Sequence, residues 1–331
     1  MMTPWRYSGS AMVQTTRIMP LDDEAIAEAT LLVLAGEPVA VPTETVYGLA
    51  ADATNAEAVA RIYAAKGRPS FNPLIVHVPN LEAAERIGRF DAQARDLALQ
   101  YWPGPLTLVV PLREDGGAKP VRGTGEQRHG IASIVTAGLE TIALRVPAHA
   151  AMQALLKACG RPLAAPSANA SGQISPTRAS HVLASLGGRI PLIIDGGATQ
   201  RGIESTIVAA TDGSLRLLRR GPIEIEAAKQ LASKAIEAPG QLASHYAPMK
   251  PLRLDATAAE PGEYLIGFGP VRGDVSLSER GDPVEAAARL FDLLHQADGA
   301  PAARIAIAPI PGDGIAAAIR DRLKRAAAPR V

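Results

Sequence analysis

Between Asp22 and Ala209 short apolar runs alternate with longer segments of helical spacing, and this alternation confines the chain to an α/β fold. Asp22 and Asp23 are N-cap candidates ahead of an Ala/Leu/Val-rich segment that stops at Gly36. Pro38–Thr43 reads as a fully apolar strand. Asn55–Lys66 reads as a helix with Ala58, Val59, Ile62 and Ala65 on one face. Further strands are expected over 74–78, 106–112, 141–146, 191–195 and 205–209. Helical stretches are expected up to Tyr101, over His149–Cys159 and over Ile223–Ile236. Arg113–Gly130 is polar and Gly-rich, as an exposed insertion would be.

At 331 residues the chain exceeds the size of one core, so two domains are expected. Ala238–Pro251, with three prolines and one glycine, reads as the linker. The expected division is a flexible extension over 1–16, a first α/β domain over 17–237, a linker or lid over 238–251 and a second domain over 252–331. The second domain shows strands near 263–268 and 303–308 and helices over 282–296 and 313–326. Aromatics make up 4%, so the cores must be built from Ala, Val, Ile and Leu. With 34 Lys+Arg against 33 Asp+Glu there is no global field to mark a nucleic-acid or membrane binder, though a local basic patch stays open. The single cysteine, Cys159, excludes an intramolecular disulfide and a multi-cysteine zinc site. No apolar run spans a bilayer, and Met1–Arg17 lacks a signal-peptide core, so a cytoplasmic location is expected.

Several chemistries are missing. There is no P-loop, no H-E-x-x-H and no G-x-S-x-G, and the six histidines lack metal-ligand spacing. Gly267–Gly273 approaches the dinucleotide fingerprint, but its last glycine is one place late and Pro270 removes an N–H, so it reads as a turn. Four polar segments remain. Pro42–Gly48 either points polar groups into a cleft or is an edge strand turning at Gly48. Lys66 and Arg68 flank Gly67 as an anion clamp, or are surface cations on a solvated loop. His77 lies in an apolar run, where a core histidine is the plain reading. Ser167 and Asn169, with Gly172 nearby, offer hydrogen bonds and backbone freedom, or form an ordinary turn. Glu204 and Ser205 open another strand. Together these segments sit at strand ends, where open sheets bind ligands.

The strings PTETVYGL, AKGRPSFNPLIVHV, WPGPLTLV, AGLETIALRVP, AAPSANASG and GIESTIV, in that order across roughly 20–225, resemble the YrdC/Sua5 family of threonylcarbamoyl-AMP synthases. The HYAP segment at 245–248 resembles the two-domain Sua5 form. The resemblance implies a YrdC-like twisted mixed sheet with helices around a basic cavity, and a small Rossmann-like C-terminal α/β domain. It implies a nucleotidyltransferase that joins L-threonine, bicarbonate and ATP into L-threonylcarbamoyl-AMP and pyrophosphate, with Mg²⁺ expected alongside the nucleotide. The product would pass to a tRNA threonylcarbamoyl-transferase system that modifies the adenosine next to the anticodon in tRNAs reading ANN codons. A weak tRNA contact is left open.

Carried over by motif, Lys66, Arg68, Ser167 and Asn169 match the set around the triphosphate and the reacting carbamate. Thr45, His77 and Ser205 match threonine-holding positions, with a backbone contact near Ala143. Asn72, Ser175 and Arg219 match nucleotide contacts, and Tyr246 matches the linker tyrosine that covers the nucleotide. The chain departs from the family pattern in the length of the 113–130 insertion, in Arg220 where proline is frequent, and in Gln241–Ser244 ahead of HYAP. Two other readings compete. A carbamoyl-phosphate-dependent hydrogenase maturation factor would carry acylphosphatase and zinc-finger modules, which one cysteine does not support. A non-catalytic RNA-binding or ribosome-assembly module would use the basic cavity alone, against which stand the net charge of +1 and the lack of an aromatic stacking pattern.

Overall fold

The computed structural model describes residues 15–114, 130–228, 237–240 and 244–329. Most of the 1–16 extension, most of the 113–130 insertion, 229–236 of the expected helix and Gln241–Ala243 lie outside the described residues.

The chain begins with β1 (Arg17–Pro20), α1 (Asp23–Leu34), β2 (Val39–Pro42), β3 (Tyr47–Asp52), α2 (Ala56–Lys66) and β4 (Ile75–His77). Asp22 caps α1 by accepting from the Ala25 N–H, and Asn55 caps α2 by accepting from Glu57 and Ala58. There follow α3 (Leu81–Glu85), α4 (Ala92–Tyr101), β5 (Leu106–Pro111), α5 (Ser133–Thr136), β6 (Thr141–Arg145), α6 (Ala150–Cys159) and β7 (Leu163–Ala164). The first domain closes with α7 (Ala179–Leu186), β8 (Leu192–Asp195), β9 (Thr206–Thr211) and β10 (Ser214–Arg219). Beyond the linker come β11 (Leu252–Arg253), β12 (Glu263–Gly267), β13 (Val275–Ser276), α8 (Pro283–Gly299), β14 (Arg304–Ile307) and α9 (Ile315–Ala326).

The first ten strands form one mixed sheet in the order β1-β8-β2-β3-β7-β4-β6-β5-β9-β10. The last four form a parallel sheet, β11-β14-β12-β13, as expected for a small Rossmann-like unit. The expected α/β architecture is therefore the one observed. Gly267–Gly273 is a turn: Phe268 and Val271 bridge across it.

Three local readings need correction. Pro42–Gly48 is neither a straight polar strand nor an edge turning at Gly48. The Thr43 hydroxyl accepts from the Thr45 and Val46 N–H groups and donates to the Val46 carbonyl, so the chain reverses there. Gly48 then lies inside β3, paired with Val41 in the middle of the sheet. Ile223–Ala228 is irregular, with one turn at Glu226–Ala227, instead of the start of a helix. The strand β10 was not anticipated, although Asp212-Gly213, both at positive φ, is a standard hairpin signal.

One face of the large sheet is closed by the main core, in which Val76, Leu108, Ile142, Leu144 and Val208 pack with Val59 and Ile62 of α2. The second domain's core runs on into its neighbours. Val46, Ile174, Ile203 and Tyr246 belong to the same cluster as Phe291, Leu290 and Ile319. Gly202 shows how close this docking is. It has φ +68, and a Cβ there would lie 2.3 Å from the Ala287 and Ala288 carbonyl oxygens of α8. Gly202→Ala is therefore expected to cost a few kcal/mol and to displace the second domain. Limited proteolysis between the domains should accelerate while far-UV circular dichroism stays unchanged.

Candidate active site

Strand register gathers several of the positions that the resemblance assigns to threonine. Ala143 pairs with Ile75 and with Val109, and His77 pairs with Arg145. Thr107 pairs with Ile207, two residues after Ser205. Because side chains alternate along a strand, His77, Ala143, Arg145, Thr107 and Ser205 share the face opposite the main core. That face carries only a small apolar cluster, Ile75, Val109, Ala143, Ile207, Ala209 and the linker residue Ala238. It is a polar floor with part of the linker above it.

The floor is wired by buried bonds. Ser205 Oγ lies 2.8 Å from Thr107 Oγ1 and accepts from Arg219 Nη2 at 3.0 Å, while Arg219 Nε donates to the Ser205 carbonyl. Thr45 Oγ1 lies 2.8 Å from Thr43 Oγ1. His77 Nδ1 is buried without a partner, and burial followed by the Arg145 charge lowers its pKa to about 3. Sequence reasoning missed Glu44 and Arg145, which form a buried pair at 2.6 Å. Burial would raise the Glu44 carboxyl, but Arg145 and the Ala148 N–H hold it below the usual carboxylate range.

The cations lie at the end of α2. Gly67 adopts φ +60 and terminates the helix, with Lys66 as its last residue and Arg68 just beyond. Lys66 Nζ donates to the Ser167 carbonyl at 2.6 Å and to that of Asn169. Arg68 donates to the Asn72 and Pro73 carbonyls. Both are buried, so the solvated-loop reading does not hold. Burial and then Arg68 push the Lys66 ammonium well below the lysine range, and burial brings Arg68 to about 10. The Ser167–Asn169 loop is pinned to β3 by Leu49 N–H to Pro166 O and Ala168 N–H to Tyr47 O. Asn72 Oδ1 and Asn169 Oδ1 are buried without partners.

The linker closes over these groups. His245 and Tyr246 are 6% and 1% exposed, so neither reaches solvent. His245 is held well below its usual pKa by burial and then by the charges of Arg68, Lys66, Arg219 and Arg322. Among the described residues Lys66, Arg68 and Arg219 have no carboxylate partner. The Tyr246 ring stacks on Phe291 at 5.6 Å and lies 5.4 Å from Arg322 Cζ, so it packs between the domains. Its hydroxyl is buried without a partner, and a Cβ on Gly240 would lie 2.8 Å from that oxygen. Ser175, also buried, donates its hydroxyl proton to Glu204 Oε1, and Glu204 Oε2 accepts from Arg322 of α9.

Arg322 gave no motif signal, but periodicity could have exposed it. It falls on the apolar face of α9 with Ile315, Ile319 and Ala326.

Taken together, fold and site define a two-domain α/β protein in which buried Lys66, Arg68 and Arg219 lie with a polar face of the mixed sheet, and the second domain is docked against the first. Residues 32–221 match the Sua5/YciO/YrdC family model, described as telomere recombination, and 199–328 match the model of the threonylcarbamoyl-AMP synthase C-terminal domain. The chain belongs to the Sua5/YciO/YrdC family, in its two-domain form. It is 37% identical to a threonylcarbamoyl-AMP synthase of Bacillus subtilis, over 96% of this chain and 97% of that one. It is 36% identical to the Pyrococcus abyssi threonylcarbamoyl-AMP synthase, over 89% and 92%. The crystal structure of P. abyssi Sua5 complexed with L-threonine superposes with a TM-score of 0.81 at 33% identity, over 95% and 97% of the two chains.

Proposed function

We propose that this protein is an L-threonylcarbamoyl-AMP synthase that uses L-threonine, bicarbonate and ATP and releases pyrophosphate. The observation that carries this reading is the set of buried cations without carboxylate partners beside a polar sheet face. Desolvated positive charge is costly, and a polyphosphate is the ligand that repays it.

In this reading Lys66 and Arg68, with Ser167 and Asn169, hold the triphosphate and the reacting carbamate. Thr45, His77, Ser205 and the backbone near Ala143 hold threonine, and Asn72, Ser175, Arg219 and Tyr246 contact the nucleotide. The threonine amine adds to carbon dioxide derived from bicarbonate and loses a proton, giving a carbamate. A carbamate oxygen attacks the α-phosphorus, and the bond to the bridging oxygen breaks to release pyrophosphate. No enzyme nucleophile is required. The work is positioning and neutralisation of charge.

The site does not form a protein cage for Mg²⁺. Glu44 and Glu204 are both committed to arginines, and no metal-binding group of three or more His, Cys, Asp or Glu occurs among the described residues. In this reading the ion enters with the nucleotide as part of the substrate.

We take residues 17–237 as the catalytic domain, 238–251 as its lid and 252–331 as the docking domain. No described helix is long and apolar enough to cross a membrane. The place of action in this reading is the cytoplasm, where the labile mixed anhydride passes to a tRNA threonylcarbamoyl-transferase.

Pyrophosphate release that requires both threonine and bicarbonate tests the reading, and its absence would refute it in favour of an RNA-binding module. Serine, one methyl smaller, should lose about 10-fold or more in kcat/KM, since a methylene is worth about 1–3 kcal/mol. Valine, which leaves the hydroxyl-binding groups unpaired, should be rejected more strongly. Equal turnover of valine would remove Thr45, His77 and Ser205 from the threonine site.

A further inference from the structure

Arg322 is fully buried on the apolar face of α9, a position where an arginine persists only with strong compensation. Its Nε donates to Glu204 Oε2 at 2.9 Å across the domain interface, and its Nη1 donates to Asp321 at 3.2 Å. Glu204 passes the contact on, because its Oε1 takes the Ser175 hydroxyl proton. His295 of α8 braces the same residue, with Nε2 3.2 Å from the Ser175 carbonyl oxygen. On its other side Arg322 lies against the Tyr246 ring. Two elements of the second domain thus converge on Ser175 and Tyr246, both assigned above to the nucleotide.

We infer that Arg322, paired with Glu204, is a positioning residue through which the second domain sets the nucleotide half of the site. This rests on the functional reading above. The chain of bonds also fixes a polarity. A serine hydroxyl has one proton, and here it is spent on Glu204, so the Ser175 oxygen can only accept. It therefore suits an N–H or O–H donor of the nucleoside, and not a phosphate oxygen. The threonine positions Thr45, His77 and Ser205 make no side-chain bond to the pair. Ser205 follows Glu204 in the chain but is held by Thr107 and Arg219, so threonine should not sense the pair.

The test is a cycle of Arg322→Met, Glu204→Gln and the double variant, with Arg322→Lys as the conservative replacement. KM for ATP and for threonine are read separately from pyrophosphate release, and the affinity of a non-hydrolysable ATP analogue is read by calorimetry. Each single variant should raise KM for ATP by about 10-fold or more, with KM for threonine within about 2-fold. The double variant should be no worse than the worse single one, because no unpaired buried charge is left. Arg322→Lys should recover part of the loss. Equal rises in both KM values, additive losses in the double variant, or a lowered Tm with unchanged ATP affinity would overturn the inference. The calorimetric arm separates the two readings. If the wild type binds the ATP analogue but releases no threonine-dependent pyrophosphate, the assigned reaction fails. Loss of analogue affinity in the variants would still support the positioning role.

Discussion

Lys66→Ala and Arg68→Ala each lose about 100-fold or more of threonine-dependent pyrophosphate release while the protein stays folded, the scale expected for removing a preorganised charge from a phosphoryl transition state. Both cations are buried, neither has a carboxylate partner among the described residues, and both lie where α2 ends at Gly67. Such cations weaken the fold by desolvation, so removing them relieves a cost while it forfeits hydrogen bonds to backbone carbonyls. The two effects oppose each other, and Tm should move little. Activity has no such compensation, since the developing charge on the departing pyrophosphate loses its counter-charge. Arg68→Lys keeps the charge without the planar fork and should recover only part of the rate. Circular dichroism and thermal melts beside the kinetics check the separation. Near-wild-type turnover in both alanine variants would remove the clamp from the mechanism.

The features legible in the sequence were the local ones. Asp22 as a cap, Ala58, Val59 and Ile62 on one helix face, and Gly67 between two cations are read from neighbours a few residues apart, and each lies where that reading places it. The hairpin at Thr43–Val46 was lost because its cause is a threonine hydroxyl folding back on its own backbone, which apolar alternation does not report. The partners that complete the site were hidden by distance. Glu44 meets Arg145 across 101 residues, and Glu204 meets Arg322 across 118. No periodicity spans such intervals, so the polar segments gave part of the site list and the resemblance the rest, and both gave side chains without their buried supports. Tyr246 shows the difference. Its motif suggested a flat cover for the nucleotide, whereas the ring is engaged by Phe291 and Arg322 and the hydroxyl is the group left without a partner.

Acid should destabilise this protein from about pH 6.5 downward, because its described histidines are held neutral by burial. Burial, as the leading cause, lowers His77 to about 3, His181 to about 4, and His149, His245 and His295 below the usual value. The sign follows from linkage. An unfolded histidine takes up its proton near pH 6.5, whereas buried His77 resists it until about pH 3. The unfolded state therefore binds more protons throughout that window, and stability falls as pH falls from 6.5 towards 3. For His77 alone the loss at pH 5 is about 2 kcal/mol, at 1.36 kcal/mol per pH unit. His181, packed on His295 at 3.9 Å between the domains, adds in the same direction. Glu44 works in a later window. Its carboxyl is held below the usual carboxylate range, so the stability it contributes is present above that range and is lost as pH drops further. Urea titrations between pH 8 and pH 5 read the slope of unfolding free energy directly. His77→Asn should reduce that slope by about one proton between pH 6 and pH 5, whatever its effect on stability at pH 8, because the slope counts protons taken up on unfolding. An unchanged slope in the variant would mean that His77 protonates in the folded protein, and the enclosed polar floor beneath the linker would have to be open to water.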